Sequence, residues 1–352
     1  MRSGITIKVN GVNDDELSQA VSVEVSEQAG EATAFNLRYG LDILKGDLPY
    51  LTDSRINAGS EISVVVTLDS NIQCLVKGPV HGQNIHLEHG GAGSTLDVRG
   101  SDTSIKMDRE SRSVVWKDVT DSDAVQTILS TYGYTPDVAS TPAGHYENKH
   151  TLIQRESDLS FIRRLARRNG FYFWITSDEF GMETAHFQRP QLGGSPAAPL
   201  VINLDSPTMA TLDINWDVER PTSVAGVQLD LNAKSDINLT VQKTPQTILG
   251  DVGLTDITGD ARSVQLSAPA NDAGDLQARG EGALIEADWF IHATCHTTAK
   301  ELGAVIRPYT IVELHGAGSR HSGKYFVSGV KHTINATEYK MELQMIRNGW
   351  GK

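Results

Sequence analysis

Apolar and polar residues alternate over most of the first hundred positions. Ile5, Ile7 and Val9 step by two, as do Val21, Val23 and Val25, and then Phe35, Leu37 and Tyr39. A period of two is the signature of a strand with one face buried. Ile62 to Leu68 is a fuller apolar run, and Asp69-Ser70-Asn71 turns it into Ile72 to Val76. Pro79, between Gly78 and Val80, predicts an edge or a bulge, because proline has no N–H for a ladder. Ile85 and Leu87 resume the alternation, and the glycines of 90–94 read as a hairpin turn before Leu96 and Val98.

The period changes near residue 118. Thr120-Asp-Ser-Asp123 has the form of a capping box, and Ala124, Val125, Ile128 and Leu129 recur at helical spacing until Gly133. After a polar loop from Pro136 to His150, Ser157 caps a second predicted helix. It carries Leu159, Ile162, Leu165 and Ala166 on one face, and Arg163, Arg164, Arg167 and Arg168 off it. Gly170 stops it, and Phe171 to Ile175 is an aromatic strand. Residues 189–200, rich in Pro and Gly, are the strongest linker signal. β pattern resumes at Leu212–Trp216 and Val224–Leu229. Residues 240–275 read as an extended loop, and a third helix is predicted over Ala273–Ala287, weakened by Gly280 and Gly282. Strands are expected at 290–298, 310–314, 325–327 and 339–345. The outline is β, then α/β, then β, with no sequence repeat between the two β parts.

Two stretches resemble a known family. One is Gln154-Arg-Glu-Ser-Asp-Leu-Ser-Phe-Ile-Arg-Arg-Leu-Ala-Arg-Arg-Asn-Gly170 leading into the aromatic strand, with Gln154, Glu156, Ser157, Asp158, Phe161, Arg164, Leu165, Ala166 and Gly170 at matching spacing. The other runs from Gly316 through Tyr325, Val327 and Val330 to His332, with Tyr339 and Arg347 on the strand that follows. Both are similar to the late control protein D and VgrG hub family of contractile phage tails and injection machines, over about residues 5 to 348. The resemblance implies a mainly β (α+β) fold with two tube-type antiparallel β-barrel domains. These would be residues 1–110 and 191–352, the second with one helix, with a small α/β insertion at 111–190. It implies a homotrimer closing into a pseudo-hexameric ring. The partners implied are a separate spike protein, an inner tube or tube-initiator protein and other baseplate proteins, with cargo in the lumen a further possibility. The chain stops at Lys352 without the fused spike of VgrG-type members, so the spike is expected on another polypeptide.

Composition narrows the picture. Among 352 residues, 39% are apolar and 21% charged, which excludes a fibrous repeat or wholesale disorder. That length exceeds the roughly 250–300 residues at which single cores stop growing, so two or three units are expected. The net charge of −13 argues against nucleic acid and against direct binding to an anionic membrane. No signal-peptide pattern or membrane-length apolar run is present, so synthesis in the cytoplasm and assembly into a tail or tail-like particle are expected.

Candidate chemistry is thin. His292, Thr294 and His296 would share one face of a strand and Cys295 the other, so they do not converge on a metal. His81, His86 and His89 surround a hairpin. Gly90–Gly93 lacks the helix of a phosphate loop, and no G-x-S-x-G or H-E-x-x-H is present. Cys74 and Cys295 read as buried thiols. The acid clusters at 14–16 and 118–123 are read as a loop and a helix start. No catalytic, cofactor-binding or metal residue is therefore expected, and no cofactor. The alternative on the same scaffold is a cell-wall-degrading enzyme or a glycan-binding module. Arg163, Arg164, Arg167 and Arg168 form the one basic concentration, either a solvated helix face or an interface to an acidic partner surface.

Overall fold

The computed structural model describes residues 3–41, 49–89, 91, 93–148, 151–230, 234–259, 262–266 and 273–351. The glycine turn at 90–94 falls partly outside them. The first β part has six main strands: β1 (Ser3–Val9), β2 (Ser22–Gln28), β3 (Ala34–Gly40), β4 (Glu61–Leu68), β5 (Asn71–His86) and β6 (Thr95–Ser101). They pair in the spatial order β2-β3-β6-β5-β4-β1, all antiparallel. Val23, Val25, Leu37 and Val98 face one apolar cluster together with Ile7, Ile62 and Val64. The run 72–76 and the alternation that resumes at Ile85 belong to one sixteen-residue strand, which ends at His86 just before Leu87. It passes through Pro79, which lies against Glu61 at the start of β4, and bulges between Val80 and Gly82.

The insertion contains β7 (Ser111–Trp116), α1 (Asp121–Thr131), β8 (Thr135–Val138), β9 (Leu152–Ser157), α2 (Asp158–Arg168), β10 (Tyr172–Ser177) and β11 (Glu183–Gln188). The expected capping box is present: the Asp123 N–H donates to Thr120 Oγ1 at 3.1 Å, and the Thr120 N–H donates to Asp123 Oδ2 at 2.9 Å. Ser157 caps α2 by accepting from the Ser160 N–H at 3.2 Å. Val125, Leu129, Phe161, Leu165, Phe173 and Phe187 form a separate core for this piece. It joins the first β part through a bridge from β10 to β5, Ser177 to Cys74, and an ion pair from Lys77 to Glu183 at 3.2 Å.

The last part contains β12 (Pro199–Val201), β13 (Thr211–Trp216), β14 (Ser223–Asp230), β15 (Ser235–Val241), β16 (Ser263–Leu266) and α3 (Ala273–Ala287). It ends with β17 (Ile291–Thr298), β18 (Ile311–His315), β19 (Gly323–Ile334) and β20 (Tyr339–Arg347). The 240–275 stretch is more structured than its composition predicts. It contains a helical turn at Leu254–Thr258, and β16 pairs parallel to β14. Besides α3, short helical turns occur at Ala299–Leu302 and Gly318–His321. The helix α3 runs through Gly280 and Gly282 because packing needs a bare backbone there. A Cβ on Gly282 would lie 2.6 Å from the Arg168 carbonyl oxygen at the end of α2, so the helix-propensity cost of roughly 1 kcal/mol is set against close packing.

The main strands of this part pair in the order β13-β17-β20-β19-β18-β12. Replacing each strand by its chain-order counterpart (β1 by β12, β2 by β13, β3 by β17, and β4 to β6 by β18 to β20) turns the first order into the second. Only the outermost pairing differs: β12 is parallel to β18, whereas β1 is antiparallel to β4. The repeat extends to detail. The counterpart of the bulge at Val80/Gly82 is a bulge at Val327/Gly329. Val80 exchanges backbone bonds with Gly59 and Ser60, and Val327 does the same with Tyr309 and Thr310. Gly59 and Tyr309 both sit at positive φ, +87° and +66°. The two units share one fold without sharing a sequence.

Candidate assembly surfaces

The units are joined by β2, which pairs antiparallel with β19 from Gln28–Gly329 to Val23–Ile334. A polar cluster is buried under this seam. Arg307, from the loop before β18, donates Nε and an Nη to both oxygens of the Glu27 carboxylate at 2.7–2.9 Å. Its remaining donors reach the carbonyls of Cys74 and Leu75 in β5, each at 2.9 Å. His332 lies 2.9 Å from Glu27 through Nε2 and 3.0 Å from the Tyr339 hydroxyl through Nδ1. Burial opposes the charge on Glu27, but Arg307 and the His332 hydrogen bond outweigh it and hold the carboxyl below its ordinary value. Burial pushes His332 down, toward the neutral imidazole. The Tyr339–His332–Glu27 chain has the connectivity of a catalytic relay, but His332 is 0% exposed, so no substrate reaches it.

The resemblance motifs therefore fall on structural joints. Gln154 is buried, accepts from the Trp116 indole at 3.2 Å and donates to Asp158 at 2.7 Å. Phe161 stacks on Trp116. Arg347, fully buried, donates to the carbonyls of Leu249, Ser322 and Gly351. Phe171, Phe173 and Ile175 enter the insertion core, while the opposite face of the aromatic strand leans on the second unit. There Trp174 stacks on Tyr309 with ring centroids 3.8 Å apart.

The four arginines of α2 do not form one free basic patch. Arg168 is buried at the base of the helix, where it pairs with Asp121 and touches His145, and Asn169 completes the cluster. The reading of Arg168 off the buried face is corrected by that contact, because the Asp121 carboxylate at the start of α1 draws its guanidinium inward. Arg163 pairs with Glu31 at 3.1 Å, and Arg167 pairs with Glu286 of α3 at 2.7 Å. Arg164 pairs with Glu156 at 2.6 Å and donates to the Ile153 carbonyl of β9 at 3.1 Å.

Of the remaining sequence candidates, His292 and His296 lie on the open face of β17 and Cys295 faces the core. Both thiols are buried, and burial pushes Cys74 up to about 11 and Cys295 up to about 12. Asp14 and Glu16 are tied to Arg55. Among the described residues no group of three or more His, Cys, Asp or Glu is placed to hold a metal ion, and no helix is long and apolar enough to cross a membrane.

Two surfaces that the sequence did not single out remain open. β13 pairs with β17 on one side only, and β5 beyond its bulge pairs with β6 only, among the described residues. Both carry exposed apolar groups: Trp216 on β13, and Ile85 and Leu87 at the end of β5.

The fold is found in solved structures of tail proteins. A tail protein from Neisseria meningitidis MC58 superposes with a TM-score of 0.68 at 15% identity, covering 99% of this chain and 97% of that one. The 43 kDa tail protein of prophage MuSo2 from Shewanella oneidensis gives 0.68 at 14% identity, covering 99% of each chain. The E. coli c3393 protein, a component of the type VI secretion system, gives 0.59 at 14% identity, covering 98% of this chain and 79% of that one. No curated protein matches the sequence. The family model of the Alg8 N-terminal domain matches residues 2–336, and the chain belongs to that family.

Proposed function

We propose that this chain is a structural baseplate hub of a contractile tail or injection apparatus, of the late control protein D kind. Three copies would close into a ring of six similar units that adapts a six-fold inner tube to a three-fold spike. A spike, an inner tube or tube-initiator protein and other baseplate proteins would be the partners. The observation that carries this reading is the duplicated six-strand unit within one chain, joined edge to edge through β2 and β19. A chain that presents one fold twice doubles the symmetry of whatever closed ring it forms. The tail-protein and secretion-system neighbours support the same setting.

The role is geometric and not catalytic on this reading. The relay-like chain Tyr339–His332–Glu27 lies under the seam, with His332 fully buried. Co-expression with candidate spike and tube proteins from the same source, followed by native mass measurement and imaging, tests the proposal. Three copies bound to one spike assembly are expected. A chain that binds neither spike nor tube, or that releases soluble fragments from peptidoglycan, would overturn it.

A further inference from the structure

The repeat of the two units locates the contact between copies, an inference that rests on the ring reading above. Inside the chain, the first unit contributes its outer strand β2 to the post-bulge half of β19 in the second unit. The counterpart of β2 in the second unit is β13, and the counterpart of post-bulge β19 is post-bulge β5. Among the described residues neither of those edges is paired. We infer that β13 of one copy adds antiparallel to the end of β5 in the next copy, as β2 adds to β19 within each chain. The contact is head-to-tail, so it propagates until the ring closes.

The ladders fix the register. The bulges make Gly82 the counterpart of Gly329, and Ile85 and Leu87 then correspond to His332 and Ile334. On the other strand, Val80 and Val327 lie opposite Gly100 and Met345. Those two lie opposite Phe35 and Ala293, which in turn lie opposite Val25 and Ile214. Ile214 is therefore the counterpart of Val25, and Leu212 of Val23. Within the chain His332 faces Val25 and Ile334 faces Val23. Between copies Ile85 then faces Ile214, Leu87 faces Leu212, and His86 between them faces Asp213.

The chemistry of the two edges agrees with this register, although the register was obtained without using it. Both apolar positions meet apolar partners, and the intervening pair is imidazole against carboxylate. Burial agrees as well. His332 and Ile334, already covered by β2, are 0% and 6% exposed, whereas their counterparts Ile85 and Leu87 are 42% and 53% exposed. A slip of one residue would place both apolar pairs on opposite faces.

Disulfide trapping in the full-length protein tests the register. Directly opposed residues of an antiparallel pair have Cα atoms about 4.5–5.5 Å apart, within disulfide reach. The double substitution Ile85→Cys with Ile214→Cys should give reducible multiples of the chain mass under mild oxidation. Either substitution alone should not, and the native thiols, Cys74 and Cys295, are buried. The displaced pair Ile85→Cys with Leu212→Cys should link at least tenfold less, because diagonal positions lie about 7–8 Å apart. The native mass of the unsubstituted chain is measured alongside. An oligomer that fails to cross-link, or that links the displaced pair equally well, overturns the inferred contact and leaves the ring reading standing. A single-chain mass without cross-linking overturns both.

Discussion

Arg307 and Glu27 are 280 residues apart in sequence and form a buried two-pronged ion pair, with nitrogen–oxygen distances of 2.7–2.9 Å, across the seam between the two β units. The geometry meets the conditions under which a buried charge pair is tolerated: both carboxylate oxygens are engaged, and the spare guanidinium donors end on the Cys74 and Leu75 carbonyls. The pair fixes how one unit sits on the other, and with it the curvature that a ring would need.

Glu27→Gln should be strongly destabilising, because it leaves the Arg307 guanidinium, whose side chain is only 22% exposed, without its anion. A loss of about 3–5 kcal/mol is expected for breaking one side of such a pair, read as a lowered midpoint in chemical denaturation. Replacing both residues together with Leu should recover a large part of it. An effect under about 1 kcal/mol for Glu27→Gln would show that the seam does not depend on the pair.

Stability should fall on mild acidification, and His332 is the reason. Its folded-state pKa is lowered, chiefly by burial. The unfolded chain therefore takes up a proton near the ordinary 6.5 while the folded chain resists it. The His332 contribution is whole above that value and declines as pH drops below it. Glu27, also lowered, adds a second decline below its ordinary 4.5. Thermal midpoints between pH 8 and pH 5 should slope downward, and His332→Gln should flatten the slope above pH 5 while lowering the plateau. An unchanged slope in that variant would assign the acid sensitivity elsewhere.

Neighbouring arginines on α2 should behave oppositely. Arg168→Ala removes a cation from the buried Asp121 and His145 cluster, and a loss of about 3–5 kcal/mol is expected. The side chain of Arg167 is 77% exposed opposite Glu286, and Arg167→Ala should cost no more than about 1 kcal/mol. Paired urea titrations separate the two. Equal effects would contradict the placement of Arg168.

The strands of both units were legible because each buries one face and therefore alternates. The helices were legible because Thr120, Ser157, Gly133 and Gly170 mark their ends. The repeat was legible only through the family resemblance and not in the residues themselves, because topology constrains which strands pair and leaves the side chains free: Val25 of one unit stands where Ile214 stands in the other, and Glu27 where Trp216 stands. One faint signal existed. Val80-His-Gly82 and Val327-Ser-Gly329 both place a glycine two residues after a valine at a bulge. Arg168 misled because helical spacing locates a residue on a face but not the reach of its side chain. Arg168 turns inward to an aspartate 47 positions away in sequence.

Arg347 closes the C-terminal end of the second unit, and its loss should be local before it is global. It donates to the Leu249 and Ser322 carbonyls at 2.9 and 3.1 Å and to the Gly351 carbonyl, and its guanidinium lies 5.2 Å from the Tyr325 ring. Asn348 beside it accepts from the Leu249 N–H at 2.8 Å and donates to the Thr247 carbonyl at 2.9 Å. Arg347→Met keeps the bulk but leaves three carbonyls without their donor, at about 1–3 kcal/mol for each that stays buried. Arg347 is a principal hold on the segment 247–251, so that segment should loosen first. Hydrogen exchange is expected to rise there by tenfold or more while β2 and β19 stay protected. Uniform exchange across both units would show instead that Arg347 supports the whole sheet.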